Sequence, residues 1–455
     1  MLDFKPIPRR LNLRHAAPVD HRLMAGSARA GAARTMAAFV DPRAPPVNPK
    51  PPAAAHAANA THATPADPAA GDTLDHCAGL PPAHPVALLR HQRPALRAAA
   101  QSAFDALWLA PEGRSRVAHE RSLVALRVAA LLEDAPLVAA CRAQALKAGA
   151  GAAELARAMP ASEADTLTAL NARLTTLLMF VDRITLQPAA GTARQLEAMA
   201  RLDFGPAAIV GLAQGAAVMA VLARVVAGVR AIAAAGERGA APSIASPGAA
   251  AGLLPGHHPA APARALRGRF TMDGLAWRPW LPPVDPAQAT PAQQGLLAQW
   301  SPASRRSSFE LTMLHTPSLR APQSRLLAEA SRAAGGLPWS ERALVAAAVA
   351  RQDGCTFGAS MLGRIVSRMT RDAEVMGMLF AQGVNLPLPP RRRALVDLAV
   401  DLAAVQPRVA AGRIEALRAA GCSELEILDA VHAAAAAAGD DRLALTLGEA
   451  VPHPG

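Results

Sequence analysis

Aromatic residues are scarce in this sequence: of 455 residues, nine are Phe, five are Trp and none is Tyr. Apolar residues nevertheless make up 51% of the chain, so its core must consist mainly of Ala, Leu, Val and Ile. Alanine has the highest intrinsic helix propensity, whereas strands favour β-branched and aromatic side chains. The composition therefore argues against an all-β fold and predicts an all-α one.

Lysine is also rare. Only Lys5, Lys50 and Lys147 are present, so the formal charge of +12 is almost entirely due to arginine. The arginines are scattered and alternate with acidic residues in the helical stretches, which is typical of solvated helix faces. A nucleic-acid-binding protein would group its basic residues on one face. We therefore expect no nucleic-acid partner.

Cysteine occurs four times, and the four positions lie far apart in the chain, at Cys77, Cys141, Cys355 and Cys422. No pair has Cys-x-x-Cys spacing, and none has a histidine at zinc-ligand spacing. This pattern argues against a disulfide framework and a structural zinc site, and we expect no cofactor or metal. Residues 1–43 contain no apolar stretch of the signal-peptide type. The sequence thus predicts a cytoplasmic protein.

One long uncharged run, residues 204–223, has the length of a membrane span. It contains Pro206, three glycines and Gln214, and much of the rest is alanine, which is only weakly apolar. The helical pattern continues beyond it through Arg224 and Arg230. A helix that is apolar all round is buried somewhere, so we predict a core or subunit-interface helix and no membrane association.

Chain length and proline distribution predict how the chain is divided. At about 150 residues per domain, 455 residues indicate two or three domains, and one compact core is not expected. Residues 1–72 are rich in proline without a helical or strand period, which predicts a disordered arm. A misassigned start codon or a transit-peptide-like segment are alternative interpretations of this arm. Residues 237–268 have the composition of a flexible linker. Residues 73–236 and 269–455 are the two predicted helical domains.

Helical patterns fill both predicted domains. Residues 121–132, for example, place a broad apolar face along one side of a helix. Three serines have the sequence context of helix starts: Ser162, Ser340 and Ser423, each followed closely by an acidic residue.

An internal repeat is the most informative feature. Residues 120–125, Glu-Arg-Ser-Leu-Val-Ala, return 221 positions later as residues 341–346, Glu-Arg-Ala-Leu-Val-Ala. A second block recurs at a shift of 218, where Arg224 matches Arg442 and Gln214 lies opposite His432. Two blocks at nearly the same shift predict two copies of one helical unit.

Both halves resemble the carboxymuconolactone decarboxylase and alkylhydroperoxidase D superfamily. The first half is similar to the decarboxylase branch at residues 72–75, 89–94, 120–121, 180–185, 212–214 and 224–228. The second half is similar to the alkylhydroperoxidase branch at residues 270–275, 280–283, 335–338, 341–342, 419–421 and 442–448. The resemblance implies an all-α protein of two tandem alkylhydroperoxidase D-like domains that assembles as a homo-oligomer.

The peroxidase members of this superfamily use a Cys-x-x-Cys motif followed by a histidine, with a glutamate earlier in the chain. Positions i, i+3 and i+7 share a helix face, so that one thiol attacks the peroxide, the other resolves the sulfenic acid, and a His/Glu relay moves the proton. In the second half these positions hold Cys355, Gly358 and Leu362, with Ala343 in the place of the glutamate. Cys355 alone keeps its residue type and is the one candidate catalytic residue.

In the first half the corresponding positions hold other residue types: Asp134, Leu137 and Cys141, with Ser122 in the place of the glutamate. Cys141 stands where the superfamily has histidine, and we interpret it as a small buried hydrophobic residue.

Two functions follow as expectations. The resemblance implies a thiol-dependent peroxidase in which Cys355 attacks an organic hydroperoxide, slow because the relay is degenerate, with an external thiol or another cysteine of the chain as reductant. No Lys, Arg or His lies within one turn of Cys355 to lower its pKa, although His432 is a possible base if folding brings it close. The alternative is a catalytically silent pseudoenzyme that acts as a helical scaffold or ligand-binding protein. Lactone decarboxylation is a more distant possibility.

Overall fold

The structure is a computed structural model that describes residues 72–109, 115–160, 172–240, 270–370 and 372–453. The predicted arm, apart from Asp72, and most of the predicted linker lie outside the described residues, as does Ser162.

The described residues are mostly helical. They form eighteen α-helices: α1 Thr73–Ala78, α2 Pro85–His91, α3 Pro94–Ala106, α4 Ser115–Leu131, α5 Ala135–Lys147, α6 Ala152–Ala158, α7 Ala172–Leu186, α8 Ala193–Ala200, α9 Pro206–Ala240, α10 Pro291–Gln299, α11 Ser308–Met313, α12 Pro317–Arg332, α13 Trp339–Asp353, α14 Thr356–Met369, α15 Ala373–Gln382, α16 Pro390–Ala403, α17 Arg413–Ala419 and α18 Glu424–Leu447. Two short strands, β1 Leu275–Pro279 and β2 Gly448–Pro452, pair antiparallel. The all-α prediction is confirmed apart from this ribbon.

The matching sequence blocks occupy matching places. Helices α3 to α9 recur in the same order as α12 to α18, at the sequence shifts of the repeat. Glu120 in α4 pairs with Arg173 at 2.7 Å, and Glu341 in α13 pairs with Arg391 at 2.9 Å. The two glutamates are 221 residues apart and the two arginines 218 apart, so the repeat conserves an ion pair as well as a helix order.

Equivalent helices of the two halves pack against each other, α9 on α18 and α3 on α12. Gly439 of α18 lies against Val221 of α9, and these positions are themselves related by the shift of 218. Gly228 lies against Val431 in the same interface, so the two helices run antiparallel. An approximate twofold axis therefore passes between Val221 and Gly439.

A buried ion pair also joins the halves. Arg93, which precedes α3, donates two hydrogen bonds of 2.8 and 2.7 Å to the carboxylate of Asp429 in α18. Arg342 donates a third hydrogen bond, of 2.6 Å, to the same carboxylate. The residues equivalent to Arg93 and Asp429 are Thr316, which precedes α12, and Gly211 of α9. These two residues also pack against each other, but they carry no charge, so the ion pair exists on one side of the axis only.

One contiguous hydrophobic cluster extends from Leu74 to Leu447 and includes both halves. The expectation of more than one main core was wrong, because α9 and α18 bury their apolar surfaces mainly against each other. A small second cluster surrounds Leu296 and Leu314.

Helix α9 is long and apolar enough to cross a membrane, and its most apolar part is entirely buried within the molecule. The prediction of a core helix is confirmed. Helix α9 continues to Ala240, four residues into the predicted linker, and the rest of that linker lies outside the described residues.

The predicted helix start at Ser423 is confirmed, since its side chain caps α18 together with Glu426. The predicted capping residue Ser340 was wrong by two residues, because the N-cap of α13 is Pro338 and the helix begins at Trp339.

Candidate functional site

Cys355 lies at the junction of α13 and α14. Gly354 ends α13 in the left-handed conformation, with a φ of 80°, which glycine adopts without strain. Cys355 is then the N-cap residue of α14, and its sulfur accepts a hydrogen bond of 3.3 Å from the backbone N–H of Gly358. The Asp-Gly-Cys sequence thus holds the thiol at the start of a helix.

The surroundings of Cys355 keep its thiol protonated. Its side chain is 1% exposed and lies close to the carboxyl group of Asp441 in α18. Burial, followed by the charge of Asp441, raises the pKa of the Cys355 thiol well above its usual value. The N–H of Gly358 acts in the opposite direction and is outweighed. A thiol in this state is a poor nucleophile, because the thiolate is the reactive form.

The structure leaves no space for a second thiol in the first turn of α14. A Cβ atom on Gly358 would lie 2.5 Å from Oδ1 of Asp441 and 3.2 Å from the sulfur of Cys355. Both distances are shorter than ordinary van der Waals contacts. The two relay positions, Ala343 and Leu362, are buried and apolar.

The structure does not bring His432 to Cys355. His432 precedes Asp441 by nine residues in α18, which corresponds to about 13 Å along the helix axis. It lies instead near Arg90 at the interface between the halves, where burial and the charge of Arg90 lower the pKa of its imidazole to about 3. His432 is therefore a buried neutral histidine, and its counterpart in the repeat, Gln214, is likewise buried and uncharged.

The first-half counterparts also lack a reactive thiol. Asp134 is the N-cap of α5. Cys141 is fully buried, and burial raises the pKa of its thiol, in agreement with its interpretation as a hydrophobic residue. Burial likewise raises the pKa of the Cys77 thiol to about 11. Within the described ranges, no group of three or more His, Cys, Asp or Glu residues is placed to hold a metal ion.

A cavity of about 170 Å³ adjoins Cys355, between the beginning of α14 and the end of α18. Its walls consist of Cys355, Thr356, Phe357, Ala444, Leu445, Gly448, Glu449 and Ala450. The side chains are mostly apolar, and the carboxylate of Glu449 is the one charged group among them. A small molecule could occupy this space in contact with the cysteine.

The sequence analysis missed Asp441, the residue that contacts Cys355. Its signal is the triplet Asp440-Asp441-Arg442, which interrupts the apolar stretch 430–447 of α18. All three side chains are buried, with Asp440 near Arg320 and Arg442 near Asp353. Charged residues within an apolar helix are rarely buried without a partner, so such a triplet indicates a polar site.

No protein-family model matches this sequence, and no curated protein matches it.

Proposed function

We propose that this chain is a pseudoenzyme of the alkylhydroperoxidase D type, silent toward hydroperoxides, that acts as a helical ligand-binding protein. The observation that carries the proposal is the environment of Cys355: burial and the neighbouring carboxyl group of Asp441 raise the pKa of its thiol well above the usual value. A cytoplasmic location and assembly as a homo-oligomer belong to the same proposal.

Hydroperoxide reduction requires a thiolate and a second thiol, and the surroundings of Cys355 favour neither. The thiolate attacks the peroxide and becomes a sulfenic acid, which a second thiol must reduce. Asp441 holds the proton on Cys355, and Gly358 stands where the second thiol would be. A positioned acid or base contributes about 10²- to 10⁴-fold in rate, and neither Ala343 nor Leu362 can supply one.

The cavity supports the ligand-binding part of the proposal. A space of about 170 Å³ at the junction of two helix ends offers room for a small ligand in contact with Cys355.

The alternative, a slow peroxidase, has one observation in its favour: Cys355 lines the cavity, so a hydroperoxide bound there would meet the sulfur. Consumption of cumene hydroperoxide by the full chain with excess dithiothreitol separates the two functions. Our proposal predicts that the wild type and Cys355→Ser both react at the background rate. Consumption by the wild type that disappears in Cys355→Ser would overturn the proposal.

A further inference from the structure

The charged group in the wall of the cavity beside Cys355 already has a partner. Glu449 of β2 lies opposite Arg278 of β1 in the antiparallel ribbon. The guanidinium group of Arg278 donates hydrogen bonds of 3.1 and 2.5 Å to the Glu449 carboxylate. An anionic ligand would be repelled by Glu449, and a cationic ligand would have to compete with Arg278. The wall therefore favours neither charge.

Backbone carbonyl groups at the end of α18, next to the cavity, also have partners. The indole N–H of Trp277 donates a hydrogen bond of 2.9 Å to the carbonyl of Ala444, and the backbone N–H of Trp280 donates one of 2.9 Å to the carbonyl of Leu447. Among the described residues, the buried side-chain nitrogen and oxygen atoms that lack a hydrogen-bond partner include none from the cavity wall. A strongly polar ligand would lose hydrogen bonds to water on entering and gain few in return.

The rest of the wall is mostly apolar. Four of its side chains are hydrocarbon: Phe357, Ala444, Leu445 and Ala450. Cys355 adds a buried thiol with a raised pKa, and a cysteine in this state behaves as a small hydrophobic residue. These walls match a ligand that is neutral and predominantly apolar.

A row of aromatic rings leads to this cavity, in a chain that has only nine Phe and five Trp residues. The ring of Trp277 packs edge-on against Phe309 at a centroid distance of 5.2 Å, and Phe309 is followed by Phe357 at 6.2 Å. Phe357 is itself part of the cavity wall, and the indole of Trp277 lies against Gly448, another wall residue. An aromatic ligand in the cavity would extend this row by one more ring contact.

We infer that the cavity beside Cys355 binds a small, neutral aromatic molecule of a single ring, in contact with Phe357 and the cysteine sulfur. This inference rests on the proposed ligand-binding function and adds the class of ligand. The size of the cavity agrees with it, because an apolar cavity of about 150 Å³ in a protein interior suffices to bind benzene, and this cavity measures about 170 Å³.

Isothermal titration calorimetry of the full chain with benzene tests the inference, with benzoate and benzylammonium as charged single-ring molecules. We expect benzene to bind and both ions to bind at least about tenfold more weakly, because each would bury a charge without a free partner. Cyclohexane should bind about two- to tenfold more weakly than benzene, because it makes no ring–ring contact with Phe357.

Two variants place a larger side chain in the wall from different elements, Ala450→Leu from β2 and Ala444→Leu from α18. Each should weaken benzene binding at least about tenfold, because the added carbon atoms take the space of the ring. Val451→Leu is the matched control, since neighbouring residues of a strand point to opposite faces and Val451 is not a wall residue.

Three results would overturn the inference: no benzene binding to the wild type, benzene binding that neither Ala450→Leu nor Ala444→Leu weakens, or equal binding of cyclohexane. Stronger binding of benzoate or benzylammonium than of benzene would overturn it while leaving a ligand-binding protein. Cys355-dependent consumption of hydroperoxide would instead overturn the proposed function itself.

Discussion

The packing of α9 on α18 makes Gly228 sensitive to any added side-chain atom at the interface between the halves. A Cβ atom there would lie 2.5 and 2.6 Å from the two methyl carbons of Val431 and 3.1 Å from its Cβ. Valine is stiff in a helix, so rotating its side chain brings little relief. Overpacking of this kind costs about 1–3 kcal/mol, and the upper end applies here. The gain in helix propensity from Gly to Ala is about 1 kcal/mol. Gly228→Ala should therefore lower the free energy of unfolding by about 2 kcal/mol.

Gly377→Ala is the matched control. Gly377 lies within helix α15, and a Cβ atom on it would meet no heavy atom within 4 Å. This variant should be stabilised by about 1 kcal/mol, because it gains helix propensity without overpacking. Urea unfolding followed by helical circular dichroism and by tryptophan fluorescence measures both changes. Equal stabilisation by Gly228→Ala and Gly377→Ala would refute the close approach of α9 to α18.

Two further predictions concern buried charges between the halves. His432→Gln should make the free energy of unfolding less sensitive to acid between about pH 6.5 and 3. In the wild type the pKa of His432 is about 3 when folded, so in this pH range only the unfolded chain binds a proton at this residue. The free energy of unfolding therefore falls by up to about 1.4 kcal/mol for each pH unit that the pH is lowered. An unchanged slope of unfolding free energy against pH would contradict this. Asp429→Asn should lower the free energy of unfolding by about 3 kcal/mol, because it leaves Arg93 without its buried counter-charge. Arg408→Gln, which breaks an exposed ion pair between the same halves, should lower it by less than about 1 kcal/mol in the same urea assay. Similar losses in the two variants would contradict the burial of the Arg93–Asp429 pair.

The helical architecture could be predicted because it depends on local features. Alanine-rich periodic segments, the capping sequence at Ser423 and the repeated Glu-Arg dipeptides are all visible along the chain. The partners of those glutamates could not be predicted, since Arg173 and Arg391 lie about 50 residues further on in another helix. The repeat indicated that both glutamates had the same role but did not indicate which role.

The part of the candidate site that lies on α13 and α14 could be predicted from the sequence, whereas the part on α18 could not. Cys355, Gly358 and the apolar relay positions could be identified from their spacing, and their residue types already argued against efficient catalysis. Asp441 comes from a helix 86 residues away in the chain, and its contact with Cys355 exists because α18 packs across α13 and α14. Chain periodicity carries no information on such contacts. The single core was missed for the same reason, because length predicts the number of domains but not how they pack.

The protonation state of Cys355 is the central claim, and thiolate absorbance in the ultraviolet measures it without requiring access to the buried sulfur. The difference between the wild type and Cys355→Ser, recorded as the pH is raised, isolates the signal of this one thiol. Our account predicts no rise in this difference up to about pH 8.5, the ordinary pKa of a cysteine. A rise centred below about pH 7, the range of thiols activated by nearby positive charge, would contradict it.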